Sequence, residues 1–293
     1  MKLLHLDSGK EMRGGQWQVL RLIEGLQAAG VETTLLARRG APLFQAAHGQ
    51  GWCVEPIGIT RILALAARHD LIHAHDARSH TLATIAPGTP LVVSRRVAFP
   101  IRSAWKYRRP HMFIAVSGYV KSVLLQGGVP EDKIAVVYDG VPLLDPGRGT
   151  AVLALANSAD PQKGAALAAE AARLAGVPLE FTSDLERDLG RAAIFLYLTH
   201  SEGLGSGALL ALSAGVPVVA SDIGGLPEII RHGENGLLVE NSAPAIAEAL
   251  RTLVDRPDFA ACLGQAGRRT VEEQFTAGRM VRLTMEVYRR VLS

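Results

Sequence analysis

Residues 199–238 read THSEGLGSGALLALSAGVPVVASDIGGLPEIIRHGENGLL, and the order of signals in them decides the fold. Just upstream, the apolar run Ala193 to Leu198 has the length and composition of a buried strand. It delivers Glu202 into a glycine-rich turn. A helix opens near Ser206, a second buried strand follows at Val216 to Ala220, and Gly224-Gly225 begins another turn-and-helix unit. A helix N-terminus with unpaired backbone N–H groups is a ready anion site, and Gly203 and Gly205 let the backbone approach a ligand without a Cβ in the way. A carboxylate beside such a nest suits sugar hydroxyls better than phosphate oxygens. Spacing alone reads equally well as an ordinary βαβ turn whose glycines only permit tight geometry.

The residue order is more specific. Ser201-Glu202-Gly203-Leu204-Gly205, Gly215-Val216-Pro217-Val218-Val219-Ala220-Ser221, Gly224-Gly225-Leu226-Pro227-Glu228 and Gly233 to Val239 follow one another as they do in a known family. The stretch resembles the donor-binding core of retaining GT-B glycosyltransferases of family 4. That resemblance implies an α/β fold of two Rossmann-like domains with a cleft between them and a C-terminal helix crossing back. It also implies transfer of a sugar from a nucleotide diphosphate sugar to a hydroxyl acceptor.

Bulk properties bound the rest. A length of 293 residues is comfortable for two domains, and 48% hydrophobic residues support substantial cores. Cys53 and Cys262 form no metal-ligand pattern and read as free thiols of a reducing compartment. The N-terminus has too short an apolar run for a signal peptide, and no stretch has the roughly 18 apolar residues of a membrane span. A cytoplasmic protein is expected, at most peripheral at the inner face of the membrane. Residues 1–150 carry 18 Lys/Arg against 11 Asp/Glu, and the remainder 13 against 17. Residues 95–111 (RRVAFPIRSAWKYRRPH) hold six Lys/Arg, no acid, and Phe99, Trp105 and Tyr107. They suit an anionic membrane surface or acceptor, or equally a solvated loop and helix. No nucleic-acid motif accompanies them.

Strand and helix patterns alternate along the chain, the signature of parallel sheets covered on both faces. Asp145 to Thr150 reads as a linker. Domains are therefore expected at 1–145, completed by 277–293, and at 146–276.

Several residues are placed for chemistry. Gly14 and Gly15 lie where the first helix opens and suit a diphosphate or acceptor oxygen. Lys163, at the start of the second unit's first helix, would neutralise a leaving diphosphate. In the resembled family an arginine precedes this lysine; here Ser158 stands in its place. Glu202 matches the first carboxylate of the family's Glu-x7-Glu pair, and the second position is Leu210. The resemblance makes Glu202 and Lys163 the catalytic residues, with Gly14, Gly15, Gly203, Leu204, Gly205 and Ser206 binding the donor. His75, Asp76 and Arg96 are candidate acceptor or sugar contacts. No cofactor or metal is expected: the nucleotide sugar is a co-substrate, and the partner is a glycan or glycolipid acceptor. A degenerate scaffold that binds sugar nucleotides, and a sugar-nucleotide epimerase, remain as alternatives.

Overall fold

The computed structural model describes residues 1–101, 105–155 and 164–293. They form two compact units, Met1–Asp139 with Ala277–Ser293, and Gly140–Thr276. The division falls at Asp139, ahead of the boundary read from the sequence. Asp145 to Thr150 is no free linker. The Gly147 N–H donates to the Ala214 carbonyl at 2.9 Å and the Arg148 N–H to that of Gly190 at 3.1 Å. A Cβ on Gly149 would overlap the Arg191 backbone. The glycines of this segment serve close packing within the second unit.

Unit 1 runs β1 (Lys2–Asp7), α1 (Gly14–Ala28), β2 (Glu32–Ala37), α2 (Pro42–Gly49), β3 (Val54–Pro56), α3 (Ile59–Ala66), β4 (Leu71–Ala74), α4 (Ala77–Ala83), β5 (Leu91–Arg95), β6 (Met112–Ala115), α5 (Gly118–Gln126) and β7 (Ile134–Val136). Its strands form one sheet in the order β3-β2-β1-β4-β5-β6-β7. All pairings are parallel. Side chains alternate faces along a strand, so Leu3, His5 and Asp7 share one face, as do Leu71, His73 and His75, and Val92, Ser94 and Arg96. On each strand that face begins apolar and turns polar toward the carboxyl end. Leu3, Leu71 and Val92 belong to one core cluster with Leu22 and Leu26 of α1.

Unit 2 runs β8 (Ala151–Leu155), α6 (Ala165–Ala175), β9 (Leu179–Thr182), α7 (Leu185–Asp188), β10 (Ala192–Tyr197), α8 (Ser206–Ser213), β11 (Val218–Ser221), β12 (Leu237–Val239), α9 (Ala243–Asp255) and α10 (Pro257–Gln274). Among the described residues its sheet is five-stranded and parallel, in the order β12-β11-β10-β8-β9. Val152, Ile194, Val219, Ile246 and Leu250 lie in its principal core.

The chain then returns to unit 1 as α11 (Ala277–Leu292). Met280, Val281, Val287 and Tyr288 of this helix join the cluster around Leu3 and Leu22. A Cβ on Gly25 of α1 would lie 2.5 Å from Val281 Cγ2, so glycine is what lets the two helices approach.

Candidate functional site

In open parallel sheets, ligands bind beyond the carboxyl ends of the strands, where the strand order reverses. Unit 1 reverses between β1 and β4, and unit 2 between β8 and β10. The residues after β1, β4 and β10 are therefore the ones to inspect. Those after β8, residues 156–163, include Ser158 and Lys163 and lie outside the described residues.

In unit 1, β4 leads into His75 and Asp76. Asp76 is the N-cap of α4, accepting from the N–H groups of Arg78 at 2.8 Å and Ser79 at 3.0 Å. It also accepts from the Ser8 N–H at 2.6 Å, the Ser8 hydroxyl at 2.8 Å and the Ser79 hydroxyl. Burial raises its pKa, yet the hydrogen bonds from Ser79 and Ser8 outweigh burial and the net shift is downward. Five donors on one carboxylate make Asp76 the tie between two strand-end loops. The structure thus gives it a cap's task.

His75 is enclosed. Its Nε2 lies 3.0 Å from His5 Nδ1, and its Nδ1 lies 3.4 Å from Arg96 Nη1. Arginine can only donate, so Nδ1 of His75 is the acceptor and its Nε2–H donates to His5. Arg96 also pairs through Nε with Asp139 Oδ1 at 3.3 Å. His73 is hydrogen-bonded to the Tyr288 hydroxyl at 2.6 Å and to Ser94 Oγ at 2.8 Å. Burial first, then neighbouring positive groups, holds His73 and His75 well below their ordinary pKa and His5 down to about 3. His5, His73 and His75 lie close enough together to be tested as a metal site. The donor set does not fit one. Both nitrogens of His73 and of His75 are engaged within the protein, and the Arg96 cation sits against His75.

The Gly14-Gly15 start of α1 is fixed from β1. Gln16 Nε2 donates to both Asp7 carboxylate oxygens at 3.1 Å, and Gln16 Oε1 accepts from the Arg13 N–H at 3.3 Å. Burial, followed by the Asp76 charge, lifts Asp7 to a pKa of about 6, against the opposing hydrogen bonds from Gly9 and Gln16. A Cβ on Gly15 would stand 3.7 Å from Arg96 Cδ. Gly15, Arg96, His75 and Asp7 therefore belong to one neighbourhood.

Unit 2 is built differently. The loop after β10 is pinned by a polar ring. The Thr199 N–H donates to Ser221 Oγ at 2.9 Å, Ser221 Oγ to Asn241 Oδ1 at 2.5 Å, and Asn241 Nδ2 to the Thr199 carbonyl at 2.8 Å. Glu202 then turns back. Its Oε2 accepts from the Tyr197 hydroxyl at 2.6 Å and its Oε1 from the Gly203 N–H at 3.0 Å. Gly205, at φ +111°, caps α8 in a conformation that favours glycine. A Cβ on Gly224 would lie 2.1 Å from the Glu202 carbonyl oxygen, and one on Gly225 2.2 Å from that of Gly203. The Gly-Gly pair thus lets one turn lie backbone to backbone on the Glu202 loop. Leu204 is buried, while Ser206 is half-exposed at the helix start. Leu210 is 7% exposed, so the position expected to carry a ribose-binding carboxylate faces the interior. Asn235 accepts from the Arg231 N–H at 2.7 Å and donates to the Ile229 carbonyl and Thr270 Oγ1, which makes the Gly233 to Val239 motif scaffold.

Asp7, Gln16, Tyr197, Ser221 and Asn241 were not expected from the sequence. Asp7 and Tyr197 each close a buried apolar strand with a polar group at its carboxyl end, and that position was the available signal. The basic segment is partly tethered. Lys106 Nζ donates to the Ala77 carbonyl at 3.2 Å and Arg109 to the carbonyls of Ala86 and Thr89 at 2.7 and 2.9 Å. Phe99 and Trp105 remain 59% exposed.

Two family models match the chain, Glycosyltransferase Family 4 over residues 12–143 and Glycosyl transferases group 1 over residues 121–256. An alpha-maltose-1-phosphate synthase from Mycolicibacterium smegmatis is 37% identical over 117 residues, 38% of this chain and 30% of that protein. A GDP-mannose-dependent alpha-(1-6)-phosphatidylinositol monomannoside mannosyltransferase from Mycobacterium tuberculosis is 43% identical over 75 residues, 25% of this chain and 20% of that one. The chain thus matches less than a third of the length of these curated relatives. HepE from Anabaena, solved in complex with UDP and glucose, superposes with a TM-score of 0.87 at 16% identity, covering 99% of this chain and 100% of its own. That likeness shows the GT-B fold. No helix among the described residues is long and apolar enough to cross a membrane.

Proposed function

The chain belongs to the family 4-like glycosyltransferases, and from that premise we propose that it moves a sugar from a nucleotide diphosphate sugar to a hydroxyl acceptor with retention of anomeric configuration. One observation carries this reading. The Glu202 carboxylate stands beyond β10, at the strand-order reversal of unit 2, on a loop held by the Gly224-Gly225 backbone and the Thr199–Ser221–Asn241 ring. Such a fixed acceptor suits sugar hydroxyls and loses no orientational freedom on binding. The loop amides and the α8 start would meet the phosphates, with Lys163 assigned to them on its sequence position alone. On this reading no metal or cofactor is required.

Unit 1 would take the acceptor. Its strand ends bring Gly15 and Arg96 together, and its exposed Phe99 and Trp105 stand among basic residues. We assign the acceptor to cell-envelope glycans or lipid-linked sugars, with peripheral contact to anionic lipid. The phosphatidylinositol-mannoside relative supports that class. The test incubates the protein with UDP- and GDP-sugars and a panel of envelope acceptors, and reads product configuration by NMR. Transfer with retention is the expected result; inversion, or no transfer to any acceptor, overturns it. A second reading, sugar-nucleotide binding without turnover, is favoured by the buried Leu210 where a second carboxylate was expected. Tight binding with neither transfer nor hydrolysis would establish it.

A further inference from the structure

Tyr197 ends β10 with its ring buried, yet its hydroxyl reaches the Glu202 carboxylate at 2.6 Å. The surrounding chain makes room for that ring. A Cβ on Gly207 would lie 2.8 Å from Tyr197 Cε2, and one on Gly205 3.5 Å from Cε1. Gly207 occupies the second position of α8, where glycine costs helix stability relative to alanine. The ring's place in the notch accounts for that cost. Burial, and then the adjacent Glu202 charge, push the Tyr197 hydroxyl well above its ordinary pKa, so it stays protonated and donating.

We propose that Tyr197 is a positioning residue for the sugar-binding carboxylate, with Gly207 as the notch that seats it. The inference rests on the glycosyltransferase reading above. The two carboxylate oxygens are held from different sides, Oε2 by Tyr197 and Oε1 by the Gly203 N–H at 3.0 Å. Donors on both oxygens hold the carboxylate plane, and losing the Tyr197 hydroxyl loosens the group about its terminal torsion, which is soft. A carboxylate that must meet sugar hydroxyls in a set direction loses that direction first. On this reading the nucleoside diphosphate portion of the ligand would not touch this group and should be indifferent to it.

Tyr197→Phe removes one oxygen and leaves the ring in its notch. Calorimetry with UDP-glucose and GDP-mannose, against UDP and GDP alone, separates the two parts of the ligand. Loss of the hydroxyl is expected to weaken the sugar nucleotides about tenfold and to lower kcat by a similar factor, with UDP and GDP unchanged. Gly207→Ala, which displaces the ring, should give the same pattern. In a Glu202→Gln background the Tyr197→Phe change should add nothing, because both act through one group. The proposal is overturned if Tyr197→Phe binds and turns over as wild type does. Equal losses for UDP and UDP-glucose, or losses that add to those of Glu202→Gln, overturn it as well. A wild-type protein that binds none of the four probes overturns the glycosyltransferase reading and this inference together. Wild-type binding with an inert Tyr197→Phe overturns this inference alone.

Discussion

The two units finish the carboxyl ends of their sheets by different means. Unit 1 closes them with side chains: Asp7, His75, Asp76, Arg96 and Asp139 are tied into hydrogen bonds and an ion pair. Unit 2 joins a small ring of uncharged polar side chains, Ser221 and Asn241 on Thr199, to a backbone contact, the Gly224-Gly225 turn lying on the Glu202–Gly203 peptides where no Cβ fits. A side-chain network is stiff but depends on protonation. A backbone contact has no titratable group in it, so the turn that carries Glu202 does not depend on the protonation of the carboxylate itself.

Acidification should separate the units most. His5, His73, His75 and His80 are buried, all in unit 1, whereas His200 and His232 of unit 2 are exposed. Burial lowers His5 to about 3 and His80 to about 4, with His73 and His75 also depressed. A histidine depressed on folding takes up protons first in the unfolded chain, so stability is lost as pH falls below the unfolded value near 6.5. By pH 5 the loss is on the order of 1–2 kcal/mol for each of His5 and His80, with His73 and His75 acting in the same direction. Asp7, raised to about 6, works in the opposite direction between its folded and unfolded values and offsets part of that loss. Hydrogen exchange from pH 7 to 5 should show unit 1 opening before unit 2. Simultaneous opening would erase the distinction.

Asp76→Ala tests the side-chain closure directly. It removes a partly buried carboxylate with five donors and uncaps α4, and should lower the stability of unit 1 by about 2–4 kcal/mol, as measured by denaturant unfolding. Glu202→Gln is the counterpart in unit 2. It should cut turnover by about 1.5–3 kcal/mol with the melting temperature unchanged, since the backbone clamp does not need the charge. Leu210→Glu sharpens the same point. At 7% exposure the new carboxylate should cost about 1–3 kcal/mol of stability and leave UDP affinity where it was; a gain in UDP affinity would show that this position can reach a nucleoside after all.

The same contrast explains what the sequence disclosed. Strands and most helices followed from apolar runs and glycine punctuation, and the unit 2 loop was legible because backbone contact demands glycine at set spacings. The short elements α4, α7 and β12 carry the weakest signal: each spans only three to seven residues. The unit 1 network was illegible for another reason. His5 and His73 meet only because β1 and β4 are paired in register, and Tyr288 reaches His73 from across 215 residues. Asp76 was a candidate from its place at the carboxyl end of a strand; its tie to Ser8, from another loop, is set by the fold. Tyr197 lay in plain sight as an aromatic in a buried strand, which is what an unremarkable core residue also looks like.

The return of α11 to unit 1 sets an order of events during synthesis. Unit 2 is whole once Thr276 has been made, while unit 1, begun first, still lacks Met280, Val281, Val287 and Tyr288 from its core. The usual N-terminal-first sequence of domain folding is therefore inverted. A nascent unit 1 must stay partly open, with His73 short of its Tyr288 partner, until the chain has built and left the other unit.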